Sequence, residues 1–252
     1  MSPWFTWRVF IGLGTVVNVC LVVVGGLLGL VVGRRFPEKT RTLVTQILGL
    51  FTLVIGASAI VSGLSAALTD EVGEYAPMLI VLGSLLVGGI LGSLIKLEDR
   101  LDGAAEKLRK RVATKSESST FVEGAVTSTL VFCVGPLAIL GSISDGLGNG
   151  IHQLLVKSVM DGFAAIAFAS SFGIGVVASI IPLVIYQGAW TLVGVFAGNI
   201  MTPGEIDALT ATGGVILLGL GLRLAGVAHI KVGDLLPALL LAPIATAIVG
   251  AL

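Results

Sequence analysis

Charged residues are scarce in this chain. Only 12% of its 252 residues are Asp, Glu, Lys or Arg, whereas about 25% is usual in a soluble globular protein. Acidic and basic residues are equal in number, so no overall charge indicates nucleic acid as a partner. The two cysteines, Cys20 and Cys133, lie in apolar runs, which argues against a disulfide framework or a thiolate metal site. Whether any other metal binds stays open.

The groups that a catalytic site needs are also missing. His152 and His229 fall in loops or at helix ends, and the sequence has neither an HExxH motif nor a Walker-type phosphate loop. A single carboxylate in the middle of a membrane cannot form the carboxylate pair of an acid–base catalyst. We therefore expect no enzymatic activity and no cofactor.

Long apolar segments make up most of the chain, which is 55% hydrophobic with a mean hydropathy of +1.05. A bilayer crossing takes about 20 apolar residues. Eight segments are long enough: 9–33, 42–64, 76–95, 120–143, 153–172, 174–197, 208–226 and 234–252. Because the fifth and sixth are weakly separated, seven crossings with one re-entrant piece is the alternative. The sequence predicts an all-α polytopic membrane helix bundle, one integral domain over residues 1–252, in contact with lipid.

Basic residues follow the first, third and seventh crossings, whereas the opposite loops are acidic or neutral. The positive-inside rule places these basic loops in the cytoplasm. They contain Arg34, Arg35, Lys39 and Arg41, then Lys96, Arg100, Lys107, Arg109, Lys110, Arg111 and Lys115, and finally Arg223 and Lys231.

Residues 96–118 predict an amphipathic cytoplasmic connector. Apolar side chains recur there at helical spacing along an otherwise charged helix, at Leu97, Leu101, Ala104, Leu108 and Val112. A plain connector that orients two halves of the bundle is the simplest interpretation. A gate or a lipid-binding element is the alternative.

Glycine spacing suggests an inverted repeat. Four glycines each have a counterpart 165 positions on: Gly29, Gly33, Gly49 and Gly56 match Gly194, Gly198, Gly214 and Gly221. The copies would be residues 9–95 and 174–252, with residues 120–172 as a central helix pair. Since the copies lie five crossings apart, they would enter the membrane from opposite sides, as in many secondary transporters.

The fourth crossing contains Gly135-Pro136 near its middle. Proline removes a helical hydrogen bond and clashes with the preceding turn, so this helix should kink or break. The freed carbonyls, with Thr127 on the cytoplasmic side, could then bind a cation, and the following helix start could face an anion. A simple proline kink packed against its neighbours is the alternative.

Asp161 lies near the middle of the fifth crossing, where a carboxylate costs roughly 2.5–3.5 kcal/mol on insertion scales. Such residues commonly mark an ion or substrate path. Lys157 precedes it by one helical turn, so a purely structural ion pair is the alternative. Asn18 and Gln187 reach similar depth and are either site neighbours or hydrogen-bonding contacts between helices.

GxxxG spacing occurs in two crossings, at Gly25, Gly29 and Gly33 and at Gly88 and Gly92. Glycines at this spacing let helices approach closely. The contacts could lie within one chain or between the chains of a homo-oligomer.

Five stretches together resemble the uncharacterised bacterial inner-membrane family called domain of unknown function 554. They are FCVGPLAILGSISDG, KSVMDGFAAIAFAS, LVIYQG, TATGGVILLGLGL and DLLPALLLAP. The resemblance covers nearly the whole chain, from Gly12 to Pro243. It implies location in the bacterial inner membrane, with no established substrate or catalytic residue.

These observations favour a secondary transporter of a small ion or metabolite. Asp161 would bind the cation or proton, the Gly135-Pro136 break would supply backbone ligands, and Asn18 and Gln187 would lie beside them. A membrane scaffold or assembly partner is the alternative, and a channel formed by an oligomer is a third hypothesis.

Overall fold

The structure is a computed structural model that describes residues 10–33, 37–112, 118–133, 136–148, 150–197 and 201–251. These residues form twelve α-helices and one 3-10 helix, and they contain no strand. The predicted all-α fold is therefore confirmed over these ranges. The expected repeat glycine Gly198 lies outside them.

In chain order, the helices are α1 (Leu13–Gly33), α2 (Glu38–Gly63), α3 (Ala66–Val72), α4 (Ala76–Leu94), α5 (Leu97–Val112), α6 (Ser118–Cys133), α7 (Pro136–Gly146), α8 (His152–Phe172), α9 (Gly175–Ala178), α10 (Ile180–Ala197), α11 (Pro203–Leu224), the 3-10 helix (Val232–Leu235) and α12 (Ala238–Gly250).

Capping residues fix the start of several helices. Thr202 and Glu205 form a capping box at the start of α11, where Pro203 fills the first helical position. The Ser65 hydroxyl accepts a hydrogen bond from the Leu68 amide and begins α3 in the same way. Gly73 then ends α3 with a φ of 88°, a backbone conformation that favours glycine.

Seven helical segments in the described part of the chain are long and apolar enough to cross a membrane. The helices α6 and α7, on either side of the predicted break at Gly135-Pro136, are bent by 79° relative to each other and form either one broken span or a re-entrant loop. Counting that pair as one crossing gives eight, in agreement with the predicted seven to eight crossings.

Large apolar side chains cover the outside of the bundle. Phe196 is 84% exposed and Val61 77% exposed, and both lie on spanning helices. An exposed apolar surface of this extent is unusual for a soluble protein. In a bilayer these side chains contact the acyl chains of lipid.

Glycines join α1 to α8. The side of α1 that carries Gly25, Gly29 and Gly33 lies directly against the α8 backbone, at Gly162, Ile166 and Ser170 respectively. The residue numbers of the contacting positions increase together along α1 and α8, so the two helices run parallel. A side chain at any of these glycines would overlap the backbone of α8.

A second glycine contact joins α2 to α11. A Cβ built on Gly56 would lie 2.7 Å from the Gly214 carbonyl oxygen, and one on Gly214 would lie 2.7 Å from the Gly56 oxygen. Gly49 and Gly221 form the same reciprocal contact at 2.8 Å. One series rises as the other falls, so α2 and α11 run antiparallel.

The remaining glycine pair lies on α4. A Cβ on Gly88 would approach the backbone nitrogen of Ala238 at 2.5 Å, and Gly92 lies against the Asp234 carbonyl. All of the glycines with predicted packing roles therefore meet other helices of the same chain.

The connector α5 packs on the protein through Leu101 and Ala105, which contact the main apolar core. Ala104, a member of the predicted apolar stripe, is exposed instead. The face of α5 that packs on the protein is therefore shifted from the predicted stripe by about one residue position. The side chains of Leu108 and Val112 lie outside the described part of the structure.

Candidate functional site

Asp161 and Lys157 form an ion pair near the middle of α8. Each residue is only 6% exposed. The pairing follows from helix geometry, because side chains lean toward the helix N-terminus and residues four apart lie on one face. The pair places two opposite charges at mid-membrane depth with no net charge.

Asn18 of α1 completes the cluster. Its side-chain nitrogen donates a hydrogen bond to Asp161 Oδ2 at 3.0 Å, the same oxygen that accepts the bond from Lys157. No donor among the described residues reaches Asp161 Oδ1. The Asn18 Oδ1 atom is buried and likewise has no hydrogen-bond partner there.

Both charged residues lie in the wall of a cavity of about 480 Å³. The wall is built from α2, α6, α7, α8 and α11 and is mostly apolar, with contributions such as Leu48, Ile55, Val131 and Leu217. Thr52 and Thr210 add hydroxyl groups. The volume is within the range of small-molecule sites, about 300–1,000 Å³.

Aromatic and apolar side chains at the cavity edge face outward. Phe51 of α2 is 62% exposed, and Met160 and Phe163 of α8 are 51% and 70% exposed. The cavity therefore lies beside the outer apolar surface of the bundle, between α2 and α8.

Two other predicted site residues, Gln187 and Thr127, are buried outside the cavity wall. Gln187 of α10 is fully buried, and neither of its side-chain polar atoms has a partner among the described residues. Thr127 of α6 is buried as well, but neither residue lines the cavity. Pro136 begins α7, whereas its side chain and the whole of Gly135 lie outside the described structure.

A second buried ionic cluster lies at the end of the bundle where α4, α5, α11 and the 3-10 helix meet. The Glu98 amide donates to Asp234 Oδ1 at 2.9 Å, and the Gly233 amide donates to Glu98 Oε2 at 2.9 Å. Arg223 donates to Glu98 Oε1 at 2.7 Å. We call Glu98, Arg223, Gly233 and Asp234 the basic-end network, since it lies among the basic loops.

Sequence reasoning missed this network and most of the cavity wall. Glu98 belongs to the predicted connector, and nothing local indicates that it is buried against residues more than 120 positions away. Thr52 and Thr210 are each one of several hydroxyl residues in their apolar segments, a signal too common in membrane helices to distinguish them.

Comparison with known proteins gives two relatives that match over most of their length. One is "Uncharacterized membrane protein YdfK" of Bacillus subtilis (strain 168), which is 29% identical over 238 residues and aligns over 94% of this chain and 97% of that protein. The other is "Uncharacterized protein YqgA" of Escherichia coli (strain K12), which is 31% identical over 233 residues, or 91% of this chain and 94% of that protein. No solved structure matches the chain.

The first of these relatives is described as a membrane protein, in agreement with the apolar helices of this chain. The pattern of the family described as "Protein of unknown function (DUF554)" matches residues 13–247, which confirms the resemblance noted in the sequence. The chain therefore belongs to the DUF554 family of proteins of unknown function.

Proposed function

We propose that this protein is a secondary transporter of a small ion or metabolite, not an enzyme, and that it acts in the bacterial inner membrane with its basic loops in the cytoplasm. Asp161 is the group that binds the coupling cation or proton. The observation that carries the proposal is that a buried carboxylate at mid-span depth lies in the wall of a cavity. Carboxylates at that depth are costly and typically mark an ion path.

The coordination of Asp161 supports this role. Lys157 and Asn18 both bind Oδ2, so Oδ1 retains the capacity to hold a cation or a proton. A proton on Oδ1 would leave the bond from Asn18 in place while removing the negative charge that holds Lys157. The carboxylate can therefore change its charge while the contact between α1 and α8 is kept.

The glycine contact between α2 and α11 supports an inverted repeat. Gly49 and Gly56 correspond to Gly214 and Gly221 at the same offset of 165 positions. The contacts join Gly49 to Gly221 and Gly56 to Gly214. A two-fold axis that exchanges corresponding residues maps each of these contacts onto the other, as expected at the interface of two inverted copies.

The cavity lies along the same interface. Leu48 and Thr52 of α2 line it, and so do their counterparts at that offset, Gly213 and Leu217 of α11. Sites between inverted repeats at mid-membrane depth are typical of secondary transporters. Rocking of one copy against the other would open the site to each side of the membrane in turn.

A scaffold or assembly partner is the second candidate, since Lys157 already neutralises Asp161 and Asn18 adds a hydrogen bond. In that case the cluster would serve only to join α1 and α8. The glycine face of Gly25, Gly29 and Gly33 is covered by α8, so a partner or a second copy would bind elsewhere on the bundle.

The proposal is tested by thermal unfolding of the purified protein in detergent with a panel of monovalent and divalent cations and a pH series. A ligand at about 100 times its dissociation constant stabilises the folded state by roughly 2.7 kcal/mol. We expect one cation, or a step in pH, to stabilise the wild type and to have no effect on Asp161→Asn. Flux of that ion into proteoliposomes should be lost in the same variant.

The matched control is Asp70→Asn, which removes an exposed carboxylate at the opposite end of the bundle from the basic loops. It should keep both the stabilisation and the flux. A variant Asp161→Asn that unfolds more easily but transports and responds to cations like the wild type would contradict the proposal and favour the scaffold.

A further inference from the structure

The opening of the cavity toward the lipid lies at the same depth in the membrane as the Lys157–Asp161 ion pair. Met160 and Phe163 lie one and two positions from Asp161 along α8, within about 3 Å of its depth at helical rise. Both are more than half exposed, as is Phe51 across the gap on α2. Lipid acyl chains, not water, surround the bundle at this depth. A ligand that passes between these three side chains therefore comes from the bilayer.

The apolar wall disfavours a hydrated ion or a sugar as the main occupant. The two hydroxyl groups in the wall already donate to their own helices, Thr52 to the Leu48 carbonyl at 2.8 Å and Thr210 to the Ile206 carbonyl at 2.7 Å. The oxygens of these hydroxyl groups can still accept a hydrogen bond, but among the described wall residues the side-chain donor that remains is Lys157, so the Lys157–Asp161 pair is the main polar feature that a ligand meets. A polar body that lost its water in this cavity would lack replacement hydrogen bonds, at a cost of a few kcal/mol per group.

The charges of the site limit the ligand's polar group. Lys157 and Asp161 neutralise each other, so a charged cargo would add a second uncompensated charge to that of the proposed coupling cation or proton. A neutral group that both donates and accepts fits better, since it can donate to Asp161 Oδ1 and accept from Lys157. Hydroxyl, amide and protonated carboxylic acid groups have this capacity.

From the position of the cavity edge, the apolar wall and the neutral pair, we infer that the cavity binds an uncharged amphiphile that enters sideways from the lipid, with its apolar body between α2, α8 and α11 and its single polar group at Lys157 and Asp161. Binding follows from the cavity alone. The further statement that this amphiphile is the cargo rests on the proposed transporter, with Asp161 supplying the coupling site.

The probe for this inference is a photoactivatable long-chain alcohol that carries a diazirine at the end of its chain. The protein is placed in lipid nanodiscs, irradiated with the probe, digested and analysed by mass spectrometry. Labelling of the cavity segments 48–59 and 160–168 is divided by labelling of the lipid-facing residues Leu240 and Ile244 on α12. This ratio separates binding in the cavity from general contact with the probe in lipid.

We expect cavity labelling to saturate and to be displaced by the same alcohol without the diazirine, whereas labelling of α12 does not saturate. Amine and carboxylate analogues of equal chain length should displace about tenfold less effectively. Ala164→Trp, which fills the cavity from α8, and Ala59→Leu, which fills it from α2, should each lower the labelling ratio about tenfold. Two filling variants on different helices guard against misfolding of one.

The matched control is Val156→Trp, which adds the same side chain to a lipid-facing position of α8 outside the cavity wall. It should leave the ratio unchanged. Unsaturable labelling, or an equal ratio in wild type and both filling variants, would overturn the inference. Stronger displacement by a charged analogue would overturn the assignment of a neutral group. A disulfide between two copies through Phe163→Cys that abolishes labelling would show that a second copy covers the cavity instead.

The two proposals fail in different ways. If labelling is unsaturable while the wild type still shows an ion response that requires Asp161, the cargo assignment is wrong and the transporter stands. If labelling saturates but no ion response or flux is found, the cavity binds an amphiphile in a protein that does not transport.

Discussion

Among the described residues, the mid-membrane cluster and the basic-end network differ in how completely their polar atoms are hydrogen-bonded. In the basic-end network both side-chain oxygens of Glu98 accept a hydrogen bond, and the Glu98 backbone amide donates one to Asp234. In the mid-membrane cluster Asp161 Oδ2 accepts two bonds, whereas Oδ1 has no donor among the described residues. A fully bonded network stabilises one arrangement, whereas a partly bonded one beside a cavity retains capacity for a ligand.

The largest effect should come from breaking the mid-membrane pair. Lys157→Met leaves Asp161 as an uncompensated charge in a buried position and should lower the free energy of unfolding by about 3–5 kcal/mol. The double variant Lys157→Met/Asp161→Asn should recover at least half of this loss, because no charge then remains. Thermal unfolding in detergent and SDS titration measure both values.

Lys107→Met is the matched control for that substitution, since Lys107 is an exposed lysine on α5. It should leave the free energy of unfolding nearly unchanged. If Lys157→Met also leaves the free energy of unfolding unchanged, Lys157 does not stabilise the charge of Asp161 and the interpretation as a tightly coupled pair is wrong.

A smaller effect should come from the basic-end network. Arg223→Ala removes the partner of Glu98 Oε1 but leaves the bond from Gly233 to Oε2 in place. A hydrogen bond to a charged group contributes about 1.5–3 kcal/mol. Urea or thermal unfolding of Arg223→Ala should show this loss, while Arg100→Ala, at an exposed position of α5, should not. Ion flux in proteoliposomes should survive in both variants, and its loss in Arg223→Ala alone would indicate that this network takes part in transport.

The smallest effect should come from the exposed ion pair beside that network. Lys231 donates to Asp99 at 3.1 Å, and this hydrogen bond is the main cause that raises the pKa of Lys231 above its usual value. The raised pKa means that the stabilising contribution is complete below about pH 10.4, the ordinary lysine value, and is lost only as the pH rises through the raised one. Lys231→Ala should therefore cause the same very small change in Tm at every pH from about 5 to 8. A change that grew with pH within that range would mean that another group titrates there.

The sequence is most informative where the signal is local. Long apolar runs predict the spanning segments, and the four-residue spacing of Lys157 and Asp161 predicts their pairing on α8. The depth of Asn18 is also predicted, because depth follows from position within a span. Its bond to Asp161, by contrast, depends on α1 packing beside α8, which no local pattern specifies.

Features that depend on distant partners could not be derived in this way. The glycines of α1 indicate a close contact, but only the fold shows that α8 supplies it. The cavity wall combines α2, α8 and α11, so Phe51 and Thr210 acquire a shared surface only after the helices assemble. Glu98 belongs to a short amphipathic helix whose composition is typical of a solvent-exposed helix. The contacts that bury Glu98 come from the turn at Gly233 and Asp234.

The bonds of α1 have a consequence for how the chain is synthesised. The Gly14 amide donates a hydrogen bond to Asp145, which lies 131 positions later in the sequence. The Asn18 side chain donates to Asp161, which lies 143 positions later. At about 5–20 residues per second, a ribosome needs roughly 7 to 29 seconds to make the residues that lie between these partners. Throughout that interval α1 is already complete, with Asn18 and its glycine face lacking their native partners. α1 can therefore dock against α8 only after this interval, and that docking brings Asn18 to the carboxylate on which the proposed function depends.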